Sequence, residues 1–202
     1  KSIRPEYSTT IPSTGRRIKY QPFSVKEEKV LVLAAESQDL DEIANAITNV
    51  LESCVTTPAD FKVEDLAIFD IEYLFLRTRA KSAGETLSVK VTDPEDPTYA
   101  AEHTIEIDKI AVQKNKDHTN LIDVTDDVKV KMKYPGIQFF TEGLKIDGYE
   151  DSLKTVSRCV SQIVVGEEVY NESEMTLEEI EESLPGELLR TSFKKKVLQL
   201  LG

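Results

Sequence analysis

Apolar residues at helical spacing dominate the first part of the chain. The longest such stretch runs from Phe61 to Glu85 and carries apolar side chains at steps of three and four residues, in two adjoining rows. The rows consist of Leu66, Phe69, Tyr73 and Leu76, and of Ile68, Ile71 and Phe75. A helix that is apolar over more than half of its circumference belongs in a core. We therefore predict a buried central helix in this stretch, with Gly84 as its end.

Two further helices are predicted before this one. Ser24 and Glu27 have the spacing of a capping box, in which each side chain binds a backbone amide near the helix start. Asp39 and Glu42 repeat that spacing for a second helix. The apolar side of the second helix consists of Leu40, Ile43, Ala44, Ile47, Val50, Leu51 and Cys54. Residues 24–85 are thus predicted to form a three-helix unit.

Residues 1–23 differ in composition from the helices that follow. Prolines, a glycine, serines and threonines alternate with basic residues, which predicts an extended basic arm that leads into a short strand around Ile18 and Tyr20. Arg16 and Arg17 near the end of this arm are candidate residues for binding a partner. The alternative is that the arm is a solvated leader.

The hydrophobic period changes from 3.6 to 2 after Gly84. Apolar and polar residues alternate in three stretches, 87–92, 103–107 and 128–134. A proline-bearing, acidic segment, Asp93 to Ala100, separates the first two. The pattern predicts an antiparallel β-meander inserted at residues 86–135.

Helical spacing returns over residues 136–166, where a helix is predicted to begin near Asp147 and to end at Gly166. Its apolar stripe consists of Tyr149, Leu153, Val156, Val160 and Ile163. Residues 167–202 are predicted to form an acidic segment and a C-terminal amphipathic helix. Between Glu167 and Glu187 there are nine glutamates and no lysine or arginine, and Thr176 with Glu179 again has capping-box spacing. The predicted fold class is α+β, a mostly helical body with an inserted small antiparallel β-meander.

Two more surfaces are candidates for binding a partner. Lys129, Lys131 and Lys133 occupy alternate positions of one predicted strand and must project from one face. They either protect a sheet edge against unwanted pairing or bind an acidic partner. The C-terminal stripe either packs on the core or binds a groove of another protein. This stripe consists of Leu189, Phe193, Val197 and Leu200.

Composition and charge exclude several classes of function. A net charge of −12 argues against general nucleic-acid binding, because a phosphate backbone favours a basic surface. The sequence has no apolar run long enough for a membrane span. Cys54 and Cys159 lie beside apolar stripes, which favours buried thiols in a reducing compartment. His103 and His118 have no cysteine nearby, so the sequence predicts no metal site.

Catalytic patterns are equally weak. Paired carboxylates such as Asp126 and Asp127 have the surroundings of turn residues, whereas acid–base catalysis needs one carboxyl group in an apolar site. None of the glycines lies in the sequence pattern of a phosphate-binding loop. We therefore expect no cofactor and no enzymatic activity.

Four stretches of the sequence resemble the baseplate hub assembly proteins of T-even-like contractile-tailed bacteriophages. They are IPSTGRRIKYQPFSVKEEKVLVLAAES at 11–37, ITNVLESCV at 47–55, FDIEYLFLRTRAKSAGE at 69–85 and VKMKYP at 130–135. The resemblance is strong over residues 11–135 and fades in the last 40.

This resemblance implies a protein made in the bacterial cytoplasm that helps to build the hub of the tail baseplate by binding other hub or tail proteins. It is compatible with an assembly factor, with a subunit incorporated in the virion tail, and more remotely with a hub-associated hydrolase. The sequence does not define the oligomeric state or the role of residues 167–187.

Overall fold

The computed structural model of the 202-residue chain describes residues 3–96, 98–113, 119–142 and 149–184. The chain divides into two compact units, an N-terminal unit of residues 1–113 and a C-terminal unit of residues 114–202. Each unit has its own sheets and helices, and each is described by itself below.

The N-terminal unit begins with an antiparallel sheet of three strands in the order β1-β2-β3. These are β1 (Tyr7–Thr10), β2 (Arg17–Tyr20) and β3 (Val55–Thr57). Ile18 and Tyr20 in β2 are buried while their neighbours Arg17 and Lys19 are exposed, as the period of 2 requires. Part of the predicted extended arm is therefore a strand, because β2 supplies the backbone partner for residues 7–10.

Three α-helices complete the body of this unit. They are α1 (Val25–Ser37), α2 (Leu40–Cys54) and α3 (Ile68–Ala83). Both predicted helix starts are confirmed, since Ser24 and Glu27 form a capping box and the Asp39 side chain accepts hydrogen bonds from two backbone amides of α2. Gly84 ends α3 with a φ of 117°, a left-handed value that favours glycine.

The helix α3 is shorter than the helix that was predicted within the stretch from Phe61 to Glu85. A 3-10 turn forms at Val63–Asp65, and Ala67 then has extended backbone before the α-helix begins. The buried side of α3 also differs from the predicted rows, because it includes the acidic residue Asp70. Helical spacing alone could not reveal this break, since the apolar residues before it are buried as well.

Asp70 joins the start of α3 to the turn between β1 and β2. Its side chain is fully buried, at 0% exposure. The backbone amide of Ser13 donates to Oδ1 at 2.9 Å, the Ser13 hydroxyl donates to Oδ2, and the amide of Ala67 donates to Oδ2 at 3.3 Å. A carboxylate at a helix N-terminus is also favoured by the helix dipole. Asp70 therefore fixes the position of the N-terminal hairpin on α3.

Glu27 links three segments of the same unit. Its carboxylate accepts hydrogen bonds from the Ser24 amide at 2.5 Å, from Arg4 Nη1 at 3.2 Å and from Ser53 Oγ at 3.2 Å. Burial acts to raise the pKa of Glu27, but the hydrogen bonds from Ser24 and the charge of Arg4 outweigh burial and hold this pKa below its ordinary value. The ionised form is thus part of the folded structure.

A two-stranded hairpin follows α3. Its strands β4 (Thr86–Thr92) and β5 (Ala100–Glu106) pair along their whole length and form a sheet of their own. Asp93 to Tyr99 form the connection, where the Asp93 amide binds the Tyr99 carbonyl at 3.2 Å. The predicted alternation in both strands is confirmed.

The C-terminal unit contains a four-stranded antiparallel sheet in the order β6-β7-β8-β9. The strands are β6 (Leu121–Asp123), β7 (Val128–Met132), β8 (Val160–Val165) and β9 (Glu168–Asn171). The helices are α4 (Gln138–Glu142), α5 (Tyr149–Arg158) and α6 (Leu177–Ser183). The core between sheet and helices consists of Ile122, Val130, Met132, Phe139, Val156, Cys159, Val160, Ile163, Ile180 and Leu184.

The predicted fold class, a mostly helical body with one inserted meander, is wrong. Within the described residues the chain has a mixed α+β fold with three separate sheets of three, two and four strands. The three alternating stretches do not form one meander, since β4 and β5 pair only with each other and β7 pairs with β6 and β8. Alternation identifies strands, but the choice of partner depends on contacts distant in sequence.

The prediction of one helix from Asp147 to Gly166 is also wrong for the second half of that range. The helix α5 ends at Arg158, and Val160–Val165 form the strand β8. Val160 and Ile163 are three positions apart, a spacing that is typical of a helix, yet both are buried within a strand. Their spacing therefore does not distinguish helix from strand. The β-branched residues of VSQIVV favour the strand. Gly166, predicted as a helix end, lies between β8 and β9 with a φ of 60°.

We expect Asp70→Ala to lower the free energy of unfolding by about 3 kcal/mol, because it leaves two backbone amides and a hydroxyl without their buried acceptor. Denaturant unfolding measures this loss. The matched control is Glu72→Ala on the exposed side of α3, with an expected change within about 0.5 kcal/mol. Equal effects of the two substitutions would contradict the role assigned to Asp70.

We expect Glu27→Gln to lower the free energy of unfolding at pH 7 by about 1–2 kcal/mol. Since the folded-state pKa lies below the ordinary value, the carboxylate stabilises the fold above that value and loses this effect as the pH falls through the folded-state pKa. The difference between wild type and variant should therefore shrink toward pH 3. Glu28→Gln at the adjacent exposed position is the control. A difference that stays constant with pH would be evidence against the ionised Glu27.

Candidate interaction surfaces

The two basic residues predicted on the N-terminal arm lie on the β1–β2 hairpin. The Arg16 Nη2 atom is 3.5 Å from Asp60 Oδ1, and both side chains are exposed. Arg17, the first residue of β2, donates from Nη2 to Ser8 Oγ at 3.1 Å. An exposed ion pair of this kind contributes little to stability. Both guanidinium groups are available at the surface, and their binding of a partner stays a prediction.

The three lysines of the predicted ladder lie on or directly after β7. Lys129 pairs with Asp123 at 3.0 Å, and Lys133 pairs with Glu172. No acidic group of the described residues lies within ion-pair distance of Lys131. The interpretation as edge protection is wrong, because β7 is an inner strand between β6 and β8. The lysines instead alternate with the buried Val130 and Met132, and a role in binding an acidic partner stays a prediction.

The predicted C-terminal stripe of Leu189, Phe193, Val197 and Leu200 lies outside the described residues. The short acidic helix before it is confirmed. Thr176 accepts a hydrogen bond from the Glu179 amide, and the Glu179 carboxylate accepts one from the Thr176 amide at 2.7 Å. This reciprocal pair is the predicted capping box.

The β4–β5 hairpin has one mainly apolar face, on which Leu87, Val89 and Ala101 are half-buried and Val91 and Ile105 are exposed. Its hairpin face consists of Leu87, Val89, Val91, Ala101, His103 and Ile105, which meet as cross-strand pairs on one side of the two strands. Val91 is 53% exposed and Ile105 39% exposed, and Tyr99 in the connection is 67% exposed. A two-stranded hairpin has marginal stability without a layer against its apolar side. The hairpin face is therefore suited to contact with another surface.

The base of this hairpin is fixed to α3. Arg77 donates from Nη1 to Asp108 Oδ1 at 2.7 Å and from Nη2 to the Ile110 carbonyl at 2.9 Å. Ile107, directly after β5, is fully buried and its amide binds the Glu85 carbonyl at 2.9 Å. The hairpin thus has an anchored base, and of its exposed apolar residues Val91 and Tyr99 lie near the turn whereas Ile105 lies close to the base.

The two cysteines are unsuited to nucleophilic chemistry. Both are buried free thiols. Burial raises the pKa of Cys54 to about 11, with a further contribution from the charge of Glu27, and burial raises the pKa of Cys159 to about 12. A reactive cysteine needs a lowered pKa and access to solvent.

The carboxyl groups with a shifted pKa give no indication of acid–base catalysis. Hydrogen bonds lower the pKa of Glu6, Asp96 and Glu179, from Lys19, Thr98 and Thr176 respectively. A general acid needs a pKa shift in the opposite direction. Among the described residues, no group of three or more histidine, cysteine, aspartate or glutamate side chains is arranged to hold a metal ion.

None of the helices in the described ranges combines the length and hydrophobicity that a bilayer-spanning segment requires.

Three surfaces of the chain have the exposure and chemistry of protein contacts. They are the hairpin face with its anchored base, the basic turn of the β1–β2 hairpin, and the side of β7 that carries lysines. The first is mainly apolar, whereas the other two carry basic side chains, of which Arg16, Lys129 and Lys133 are already in ion pairs, so the surfaces suit different kinds of partner.

Comparison with known proteins identifies the class. A family model described as T4 bacteriophage base plate protein matches residues 4–199. Because this match covers nearly the whole chain, the protein belongs to the T4 bacteriophage base plate protein family. The resemblance found in the four sequence stretches is confirmed, and the match extends through the C-terminal residues as well. Searches of curated proteins and of solved structures gave no match.

We expect the native protein to react very slowly with a small disulfide reagent at pH 8, because a thiol with a pKa of about 11 is ionised in about one molecule in a thousand at that pH. Two thiols should react rapidly after unfolding in guanidinium chloride. The measurement is a stopped-flow thiol titration of native and unfolded protein. Fast reaction of either native cysteine would contradict its assignment as a core residue.

Proposed function

We propose that this protein acts in the assembly of the tail baseplate hub by binding other tail proteins, without catalysing a reaction. The observation that carries the proposal is the exposed hairpin face on an anchored hairpin. Family membership supports binding to other tail proteins, since a baseplate protein acts among other proteins of the phage tail. The shifted carboxyl groups and buried thiols supply no catalytic group.

The energetics favour burial of the hairpin face by a partner. Complete burial of a valine or isoleucine side chain contributes about 1.5–3 kcal/mol, and Val91 and Ile105 are each still substantially exposed. A partner layer would also stabilise the pairing of β4 with β5. Because Arg77 and Ile107 fix the base and the strands pair along their whole length, binding needs to impose little further order on the hairpin.

A second candidate is an incorporated structural subunit of the hub, and the description of the family as a base plate protein favours it. Both roles use the same kind of contact and differ in what happens after assembly. Quantitative mass spectrometry of purified mature tails distinguishes them. A subunit is present in a fixed ratio to other hub proteins, whereas an assembly factor is present in hub intermediates and absent from mature tails.

The hairpin face can be tested with a pair of matched double variants. Val91→Lys with Ile105→Lys places two charges on the hairpin face, and Thr92→Lys with Thr104→Lys places two charges at the same offset on the other side of the same strands. All four positions are exposed, so we expect melting temperatures near that of the wild type. The first variant should reduce co-purification of tail proteins from infected cells, and phage yield in complementation, by about tenfold or more.

The control variant should retain both co-purification and yield. Wild-type co-purification by the hairpin-face variant, or an equal loss in both variants, would contradict the proposal. A melting temperature lowered only in the hairpin-face variant would show that these residues stabilise the free chain, and would also contradict it.

A further inference from the structure

The outer side of α1 carries an unusual number of exposed aliphatic residues. Val25 is 82% exposed, Val30 42%, Val32 50% and Leu33 54%, and Ala34 is the one buried apolar residue of this helix. Isolated exposed apolar residues are common on protein surfaces. Helix geometry places Val25, Val32 and Leu33 toward one side of α1, whereas Val30 lies on a different side.

The exposed residues of α1 form an ordered stripe. Val25, Lys29, Val32 and Glu36 recur at steps of four, three and four residues, so they lie along one face of the helix, and Leu33 lies beside Val32. Lys29 and Glu36 are both exposed, and in the described part of the chain neither lies in an ion pair. The stripe thus has Val32 and Leu33 at its centre, Lys29 toward its N-terminal end and Glu36 toward its C-terminal end, and the exposed Glu28 flanks it beside Val32.

We propose that this α1 stripe binds the same stripe of a second copy of the chain, with the two helices antiparallel about a two-fold axis between Val32 and Leu33. This arrangement packs Val32 of each copy against Leu33 of the other. It places Lys29 of each copy beside Glu36 of the other, which forms two equivalent ion pairs. A two-fold interface requires a surface that is complementary to itself, and this charge order meets that requirement.

Of the two ways in which two copies of the stripe can pair, the charges favour the antiparallel one. In a parallel pair, Lys29 would lie beside Lys29 and Glu36 beside Glu36, so both ends would repel. The arrangement also leaves the hairpin face unoccupied, so it is independent of the hub contact proposed above. The protein would then enter assembly as a two-fold dimer that presents two hairpin faces.

Charge reversal tests the arrangement, because each single substitution creates two like-charge contacts in the dimer. Lys29→Glu alone and Glu36→Lys alone should each raise the dissociation constant of the dimer by about tenfold, and the double variant should restore it. Sedimentation velocity over a range of concentrations of the full chain measures these constants. The effects of the single variants should diminish at high salt.

The matched controls are Lys62→Glu and Glu64→Lys, which make the same charge changes at positions outside α1. They should leave the dissociation constant unchanged. A wild-type protein that is monomeric at all concentrations would overturn the proposal. A dimer that is unaffected by the single variants, or one that the double variant does not restore, would overturn it as well, since either result places the contact elsewhere.

Discussion

The buried carboxylate of Asp70 is the interaction on which the N-terminal unit depends. It accepts two hydrogen bonds from Ser13 and one from Ala67, so it both starts α3 and holds the turn of the β1–β2 hairpin against that helix. A buried charge requires this number of donors to offset its loss of hydration. With the β1–β2 hairpin and α3 held together, the strands and helices of this unit bury apolar side chains on their inner sides. The outer sides of α1 and of the β4–β5 hairpin are left for contacts with other chains.

The distribution of apolar residues within the described ranges separates those that form the cores from those that remain at the surface. The buried residues of each unit account for its folding, whereas the hairpin face and the α1 stripe contribute little to the core of the single chain. Burial of such surfaces is favourable only when a partner covers them. Because Arg77 anchors the base of the β4–β5 hairpin, less conformational entropy is lost when a partner binds to it. These features are compatible with membership of the base plate protein family.

Sequence reasoning succeeded where a local signal determines the structure. The side chains of Asp39 and Thr176 mark helix starts by accepting bonds from amides two or three positions away, and at the first helix the Ser24 amide donates to the Glu27 carboxylate. It failed where contacts distant in sequence decide, as for Val160, whose spacing suits both helix and strand until β7 provides a partner. The position of β7 inside its sheet was hidden for the same reason. The burial of Asp70 was missed because its donors include Ser13, in a segment predicted to be an extended basic arm.

The most direct test of the central claim is an electron cryo-microscopy structure of a hub intermediate or a tail that contains this chain. We predict that side chains of another protein cover Val91 and Ile105 on the hairpin face, while the contacts of Asp70 with Ser13 and Ala67 are unchanged. A map in which the hairpin face is exposed to solvent, and the chain contacts its neighbours only through other surfaces, would contradict the claim.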